Sequence, residues 1–210
     1  TGFRALGRTI LESCVAYENG SHGFDLGENS RVAASIAVSN DGYGINANEH
    51  LVVDGCVADE NGLDGIRAPG GSNVSGSISR RNGGNGILVF NGSTVRDSTA
   101  EENDLAGIYA SNRCTVIGNS ARDNTVAGYR IFTSDTRVEG NNAVGNATGY
   151  QVETTGNVLV GNTASGNNTN WAVVAGNVCM VVNAATSAAI VGNSGGVSPG
   201  SANPFANFTH

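Results

Sequence analysis

The sequence predicts an all-β solenoid, a parallel β-helix of about eight to nine coils, from a repeat and a composition. The repeat is a 21-residue period. An aliphatic at Leu11, Val32, Val53, Val74, Val95, Val116, Val138 and Leu159 is followed five residues on by a small residue, from Ala16 and Ala37 through to Ala164. Three positions later stands asparagine: Asn19, Asn40, Asn61, Asn82, Asn103, Asn124, Asn146 and Asn167. The composition agrees, because 31 glycines, 3 prolines, one Trp and 39% hydrophobic residues in a chain of 210 describe many turns around a core of small aliphatics.

Within each copy the apolar residues alternate over three to five positions, as in "STVRD" and "CVADE". That is strand periodicity, and it is too short for a helix. Three short strands and three turns therefore make one coil. The inward residues stack on their equivalents about 4.8 Å away, and only stacking makes a core, since one coil buries nothing alone. The asparagine column is expected to be an inward ladder whose amides are satisfied by the copies above and below. The glycines at Gly23, Gly44, Gly65, Gly86, Gly107, Gly128 and Gly149 are expected to supply unusual backbone angles at a turn. In the last copy Trp171 takes the glycine's place and Ala172 follows it. One residue gained around Ser134-Asp135 and one lost between Asn146 and Gly149 fit loops.

The coils are expected over residues 1–177, with a last irregular coil and a cap over 178–210, where Phe205 and Phe208 fold over the final coil or along a side. Gly2-Phe3-Arg4-Ala5 falls in register with Gly23-Phe24-Asp25-Leu26, so the chain starts mid-coil and further coils are expected before it. Cys14 and Cys56 share a column two coils apart, about 9.6 Å, too far for a disulfide. No disulfide is expected within the repeat region, whose mostly inward thiols act as small apolar fillers.

Eleven Lys+Arg against eighteen Asp+Glu give a net charge of −7, which disfavours nucleic acid as a partner. No apolar run is long enough to span a bilayer, so no membrane insertion is expected. Outward apolar residues in the later coils, Leu88, Phe90, Ile117, Val144, Val158, Val160 and Val173, are covered by the tail or form a homo-oligomer contact; the open N-terminal edge is the other oligomer surface.

Positions that escape the repeat carry the functional information, because packing does not dictate them. The row after the turn glycine reads Arg4, Asp25, Asn46, Arg67, Leu88, Tyr109, Arg130 and Gln151. At one rung each it forms a polar strip about 35 Å long, with His22, Tyr43 and Asp64 beside it in the preceding turn. Arginines to pair carboxylates, carboxylates to accept sugar hydroxyls and a tyrosine to stack on a ring suit an extended, anionic polysaccharide. A polar row that merely solvates a strand is the alternative. A second row, Tyr17, Val38, Asp59, Arg80, Glu101, Arg122, Val144 and Ser165, alternates in sign in its middle and is expected to form cross-coil pairs there.

The copies "ENGLDGIRA", "RNGGNGILV" and "ENDLAGIYA" resemble the right-handed parallel β-helix, pectate-lyase-like superfamily over about residues 2–176, and the tail is similar to the end of a group of bacterial β-helix proteins. The resemblance implies a secreted or envelope-associated protein that binds, and in a lyase- or epimerase-like way processes, polysaccharide. Pectate lyases carry Arg-x-Pro-x-x-Arg, whose first arginine acts as base; Arg67-Ala68-Pro69 matches its first half, but Ser72 stands in place of the second arginine. Mannuronan epimerases carry Asp-Pro-His, and none of the three prolines here precedes a histidine. The resemblance also raises calcium, for which only Asp25 and Asp64 are at hand; no other cofactor or metal is expected. If there is catalysis, Arg67 is the expected base or carboxylate neutraliser, Tyr109 the stacking or proton-donating group, and Asp64 or Asp25 the charge partner. Arg4, His22, Asp25, Tyr43, Asn46, Arg130 and Gln151 are the expected ligand contacts. A non-catalytic stalk or adhesin shaft is the rival reading.

Overall fold

A computed structural model describes residues 1–183 and 206–209. Among the described residues it has 28 strands and no helix, arranged as three parallel sheets of nine, nine and ten strands. Neighbours within a sheet are three strands apart in sequence, except at the far end of the third sheet where Asn207–Thr209 lies between Thr163–Ser165 and Val181–Asn183, so each regular rung contributes one short strand to each sheet. The solenoid and its three-strand, 21-residue coil are those the repeat predicts, with nine rungs in the first two sheets.

The core is one column set from each sheet. Phe24, Ile45, Ile66, Ile87 and Ile108 stack in the first sheet, Val32, Val53, Val74 and Val95 in the second, and Ala37, Ala58 and Ala100 in the third, all fully buried. The small residues of the third sheet let the two larger columns close over them. Where the column turns aromatic, Tyr129 stacks on Tyr150 at 4.8 Å and Tyr150 on Trp171 at 4.4 Å. Each tyrosine hydroxyl donates to backbone carbonyls inside the core, Tyr129 to Asn119 at 2.7 Å and Tyr150 to Asn141 at 2.8 Å. That register corrects the last copy. Trp171 pairs with Tyr150 and Ala172 with Gln151, so Asn170 occupies the glycine position and Trp171 continues the inward aromatic column.

The asparagine ladder is present from Asn19 to Asn167. Each side-chain carbonyl accepts both the backbone N–H and the amide N–H of the asparagine one rung earlier, which satisfies two buried donors with one oxygen. The other two corners carry ladders of mixed type. One runs from Cys14 through Ser35, and from Cys56 through Ser77, Ser98, Asn119 and Asn141 to Asn162; the other includes Ser72, Ser93, Thr136, Asn157 and Asn177. The four cysteines are free, Cys56 and Cys114 buried.

The turn glycines have a different role from the one expected. Gly23, Gly44 and Gly65 do not have positive φ; the left-handed residues are those just before the ladder positions, such as Glu18, Ser39, Glu60 and Arg81, with φ between 50° and 54°. A Cβ on Gly44 would lie 2.6 Å from the Gly65 carbonyl oxygen and 2.7 Å from Asn61 Nδ2. Glycine is required there by close approach of the next rung.

At the C-terminal end Phe208 is half-buried in a strand, Asn207–Thr209, that joins the third sheet. Phe205 and most of the predicted cap lie outside the described residues.

Candidate functional site

The row after the turn glycine is assembled by register. Arg4 pairs with Asp25, Asp25 with Asn46, Asn46 with Arg67, Arg67 with Leu88, Leu88 with Tyr109, Tyr109 with Arg130 and Arg130 with Gln151. From Asp25 to Gln151 they point away from the core, because their neighbours on either side are the buried column residues; Arg4 continues the row on the first rung. It is not one continuous polar strip. Leu88 sits at its middle only 9% exposed, and the polar groups fall into two clusters on either side.

In the first cluster, Arg4 Nε lies 3.4 Å from Asp25 Oδ2. Asn46 donates its amide to Asp25 Oδ1 at 2.9 Å, and Arg67 donates from NH1 to Asn46 Oδ1 at 3.0 Å. Asn46 thus links a carboxylate on one rung to a guanidinium two rungs from it. Tyr43 stacks on His22 at 5.0 Å, and the Arg67 guanidinium sits 5.6 Å from the Tyr43 ring centre, within range of a cation–π contact. Among the described residues no carboxylate lies within 4.0 Å of Arg67. It is the one arginine of the row without an acidic partner.

The turn column beside the row has a structural task. His22 Nδ1 accepts the Tyr43 backbone N–H at 3.1 Å. Asp64 Oδ1 accepts the Asn85 backbone N–H at 2.6 Å and the Asn85 amide at 2.9 Å. Both side chains accept the backbone N–H of the rung after, the reverse of the ladder asparagines, which accept from the rung before.

In the second cluster Arg130 Nε donates to Glu153 Oε1 at 2.6 Å, and Gln151 donates to the same oxygen at 2.9 Å. The Arg130 guanidinium lies 5.7 Å from the Tyr109 ring and 5.8 Å from the Phe132 ring. Tyr109 also packs against Phe90 at 6.0 Å and Phe132 at 5.8 Å. Burial and the Glu153 charge raise the Tyr109 pKa against the opposing pull of Arg130, so the phenol stays protonated at neutral pH. Bonding to Glu153 raises the Arg130 pKa further.

Phe132 and Glu153 belong, with Phe90, to a further outward row of which only Phe90 is expected from the sequence to face outward. Its signal was the strand period of two: they stand two residues beyond Leu88, Arg130 and Gln151. The structure brings Arg4, Asp25, Asn46, Arg67, Tyr43 and His22 together, and Tyr109, Arg130 and Gln151 together. It does not join Arg67, Asp64 and Tyr109: Asp64 serves Asn85, and Tyr109 lies two rungs from Arg67, about 9.6 Å along the axis. Both tyrosines expected to stack on a ligand already have ring neighbours, Tyr43 in His22 and Arg67, Tyr109 in Phe90, Phe132 and Arg130.

The residues at hand do not fit calcium. Among the described residues no three His, Cys, Asp or Glu side chains gather, Asp25 is engaged by Arg4 and Asn46, and Asp64 by Asn85.

The alternating row on the third sheet forms the cross-coil pairs expected of it. Asp59 accepts from Arg80 and Arg81, with Arg80 NH2 at 3.0 Å and Arg81 NH2 at 2.6 Å, and Glu101 pairs with Arg122. The carboxylates are buried beneath the guanidiniums, Asp59 at 6% and Glu101 at 7% exposed.

The family model described as "Right handed beta helix region" matches residues 4–126, more than half of the chain. The chain belongs to that right-handed β-helix family. Among solved structures this β-helix is similar to the A-module of mannuronan C-5 epimerase AlgE6 of Azotobacter vinelandii, with a TM-score of 0.69 and 24% identity over 81% of this chain and 57% of that one. The A-module of mannuronan C-5 epimerase AlgE4 from the same organism gives 0.61 and 17% over 78% and 55%. Pectate lyase Pel9A gives 0.60 and 17% over 73% and 52%. The β-helix spans little more than half the length of each. At these identities the likeness is one of fold. No curated protein matches the sequence.

Proposed function

We propose that this β-helix binds an extended, anionic polysaccharide along the outward row of its first sheet, with Arg67 as the contact for a sugar carboxylate. The supporting observation is the state of Arg67: a guanidinium fixed by Asn46 and Tyr43, with no acidic partner among the described residues, on an outward strand row. A planar guanidinium held this way has donors in fork geometry for a carboxylate. Arg4 and Arg130 are already neutralised by Asp25 and Glu153 and are read as framing groups. Proteins named for mannuronan and pectate share the fold, which is consistent with a polysaccharide ligand, and a secreted or envelope-associated protein is the reading that goes with such a ligand.

Binding is favoured over lyase- or epimerase-like turnover. Arg67 would have to act as base without Asp64, which is held by Asn85, and without Tyr109, two rungs away. Titration of oligouronates and of neutral oligosaccharides into the protein tests the reading. Arg67→Ala is expected to weaken oligouronate binding at least tenfold and to leave any neutral binding alone. Unchanged oligouronate binding in the Arg67→Ala, Arg130→Ala double variant would remove the row from consideration. Binding to no glycan would favour the stalk reading, in which the paired charges of Arg4–Asp25 and Arg130–Glu153 only solvate the sheet.

A further inference from the structure

The outward surface of the first sheet changes chemistry beside Arg67. On the rungs before it the two outward rows carry Asp25 and Gly27, then Asn46 and Asn48. From the Arg67 rung onward they carry Pro69, Leu88, Phe90, Tyr109 and Phe132. Leu88 is paired with Arg67 on one side and with Tyr109 on the other, and Phe90 is paired with Ser111. Pro69 follows Ala68, which pairs with Val89, and Phe132 follows Ile131, which pairs with Ala110. Scattered surface apolars call for no explanation, but these occupy neighbouring places. The Phe90 and Phe132 rings pack on that of Tyr109 at 6.0 and 5.8 Å, and Phe132 is still 42% exposed. Together they make an apolar ledge that begins at Arg67 and runs about three rungs, roughly 14 Å, along the axis.

The polar groups around the ledge are of two kinds. Arg130 and Gln151 both donate to Glu153 Oε1, so they are committed to a partner within the protein. The Tyr109 hydroxyl has no hydrogen-bond partner among the described residues, on a side chain that is only half-buried. Burial of its ring raises its pKa, so it is a donor at neutral pH.

A free guanidinium at one end and a free phenol in the middle of the ledge describe a ligand. The guanidinium calls for a carboxylate, the ledge for an apolar group, and the phenol for an acceptor next to that group. A uronate chain covered in hydroxyls meets the first demand and offers little to the ledge. An O-acetyl ester supplies a methyl group and a carbonyl oxygen together. We propose that the row recognises a polysaccharide in which a free uronate is followed within a few sugars by an O-acetylated one: the carboxylate on Arg67, the acetyl methyl on the ledge and the acetyl carbonyl on the Tyr109 hydroxyl. This ligand presupposes the polysaccharide reading of Arg67 and adds to it the substituent that the chain carries.

Calorimetric titration of one oligouronate in two forms, partly O-acetylated and the same sample after mild alkaline deacetylation, separates the two. The acetylated form is expected to bind at least about fourfold tighter, the worth of burying one methyl group. Phe132→Ser should bring the two Kd values together when both are measured on that variant. Phe132→Leu should keep them apart, and Tyr109→Phe should narrow the gap. Equal binding of the two forms by the unaltered protein, or a preference that survives in the Phe132→Ser, Phe90→Ser double variant, overturns the ledge as an acetyl site, while binding of the deacetylated form that falls in Arg67→Ala still supports the Arg67 contact. Binding of both forms that is unchanged in Arg67→Ala overturns that contact, and binding of neither form overturns both.

Discussion

The side-chain carbonyl of Asn82 accepts two hydrogen bonds from Asn61, one from its backbone N–H at 3.0 Å and one from its amide at 2.9 Å. The Asn82 amide in turn donates to Asn103 and to the Ala58 carbonyl. Removing it therefore strands two donors on Asn61 and takes a donor from the Ala58 carbonyl of the same coil and from Asn103 one rung on. Asn82→Ala is expected to lower stability by roughly 2–5 kcal/mol, since each buried group left unpaired costs about 1–3 kcal/mol. Urea unfolding should show a lower midpoint at similar slope. A loss below about 1 kcal/mol would mean that the ladder is only a passenger of the sheets.

Two glycines should respond in opposite ways. Gly44→Ala drives a Cβ against the Gly65 carbonyl and the Asn61 amide, and overpacking of this kind costs roughly 1–3 kcal/mol. Gly55 has φ of 58° and open space around its Cβ position, and its column already carries Ser13, Ala34 and Asp97. Gly55→Asn should be nearly silent, within about 0.5 kcal/mol, because asparagine tolerates the left-handed region. Thermal melts of the two variants make the comparison, and equal losses would contradict the distinction between close approach and backbone angle.

Asp59 makes stability sensitive to acid. Burial pushes its pKa up, but the bonds and charges of Arg81 and Arg80 outweigh it, so the folded value is lowered from the ordinary 3.8. A carboxylate lowered on folding contributes stability that is present above its unfolded pKa and lost as pH falls through the folded one. Chemical unfolding between pH 5 and pH 2 should show a steeper loss in the wild type than in Asp59→Asn.

Tyr129 and Tyr150 do the reverse at alkaline pH. Burial raises both phenols well above the ordinary value of 10.0. A group raised on folding contributes stability that is intact below its unfolded pKa and lost as pH climbs through the folded one. Stability should therefore fall from about pH 10 upward. Tyr129→Phe should cost about 1 kcal/mol at neutral pH for the lost bond to Asn119 while flattening the alkaline limb. An unchanged limb in the Tyr129→Phe, Tyr150→Phe double variant would assign the alkaline transition elsewhere.

The coil, its period and the Asn19–Asn167 ladder were legible because one residue type recurs at one position. The other two ladders were not, since their corners mix Cys, Ser, Thr and Asn, and any of these can place an acceptor beneath the next N–H. The same reasoning covers the candidate site. Register put Arg4, Asp25, Asn46 and Arg67 in one row from spacing alone, whereas Glu153 and Phe132 lie two residues off that row on strands the repeat understated.

By itself the sequence determined what is periodic: strand positions, inward columns and the membership of the outward rows, since each follows from a local rule applied once per coil. The tertiary structure decided what depends on which side chains meet. It gave Arg130 its carboxylate and left Arg67 without one among the described residues, turned Asp64 toward Asn85, showed Gly44 to be a contact requirement, and brought Asn207 beside Asn162, 45 residues away in sequence. These are contests among side chains for the same donors and the same space, and no spacing in a one-dimensional repeat encodes their outcome.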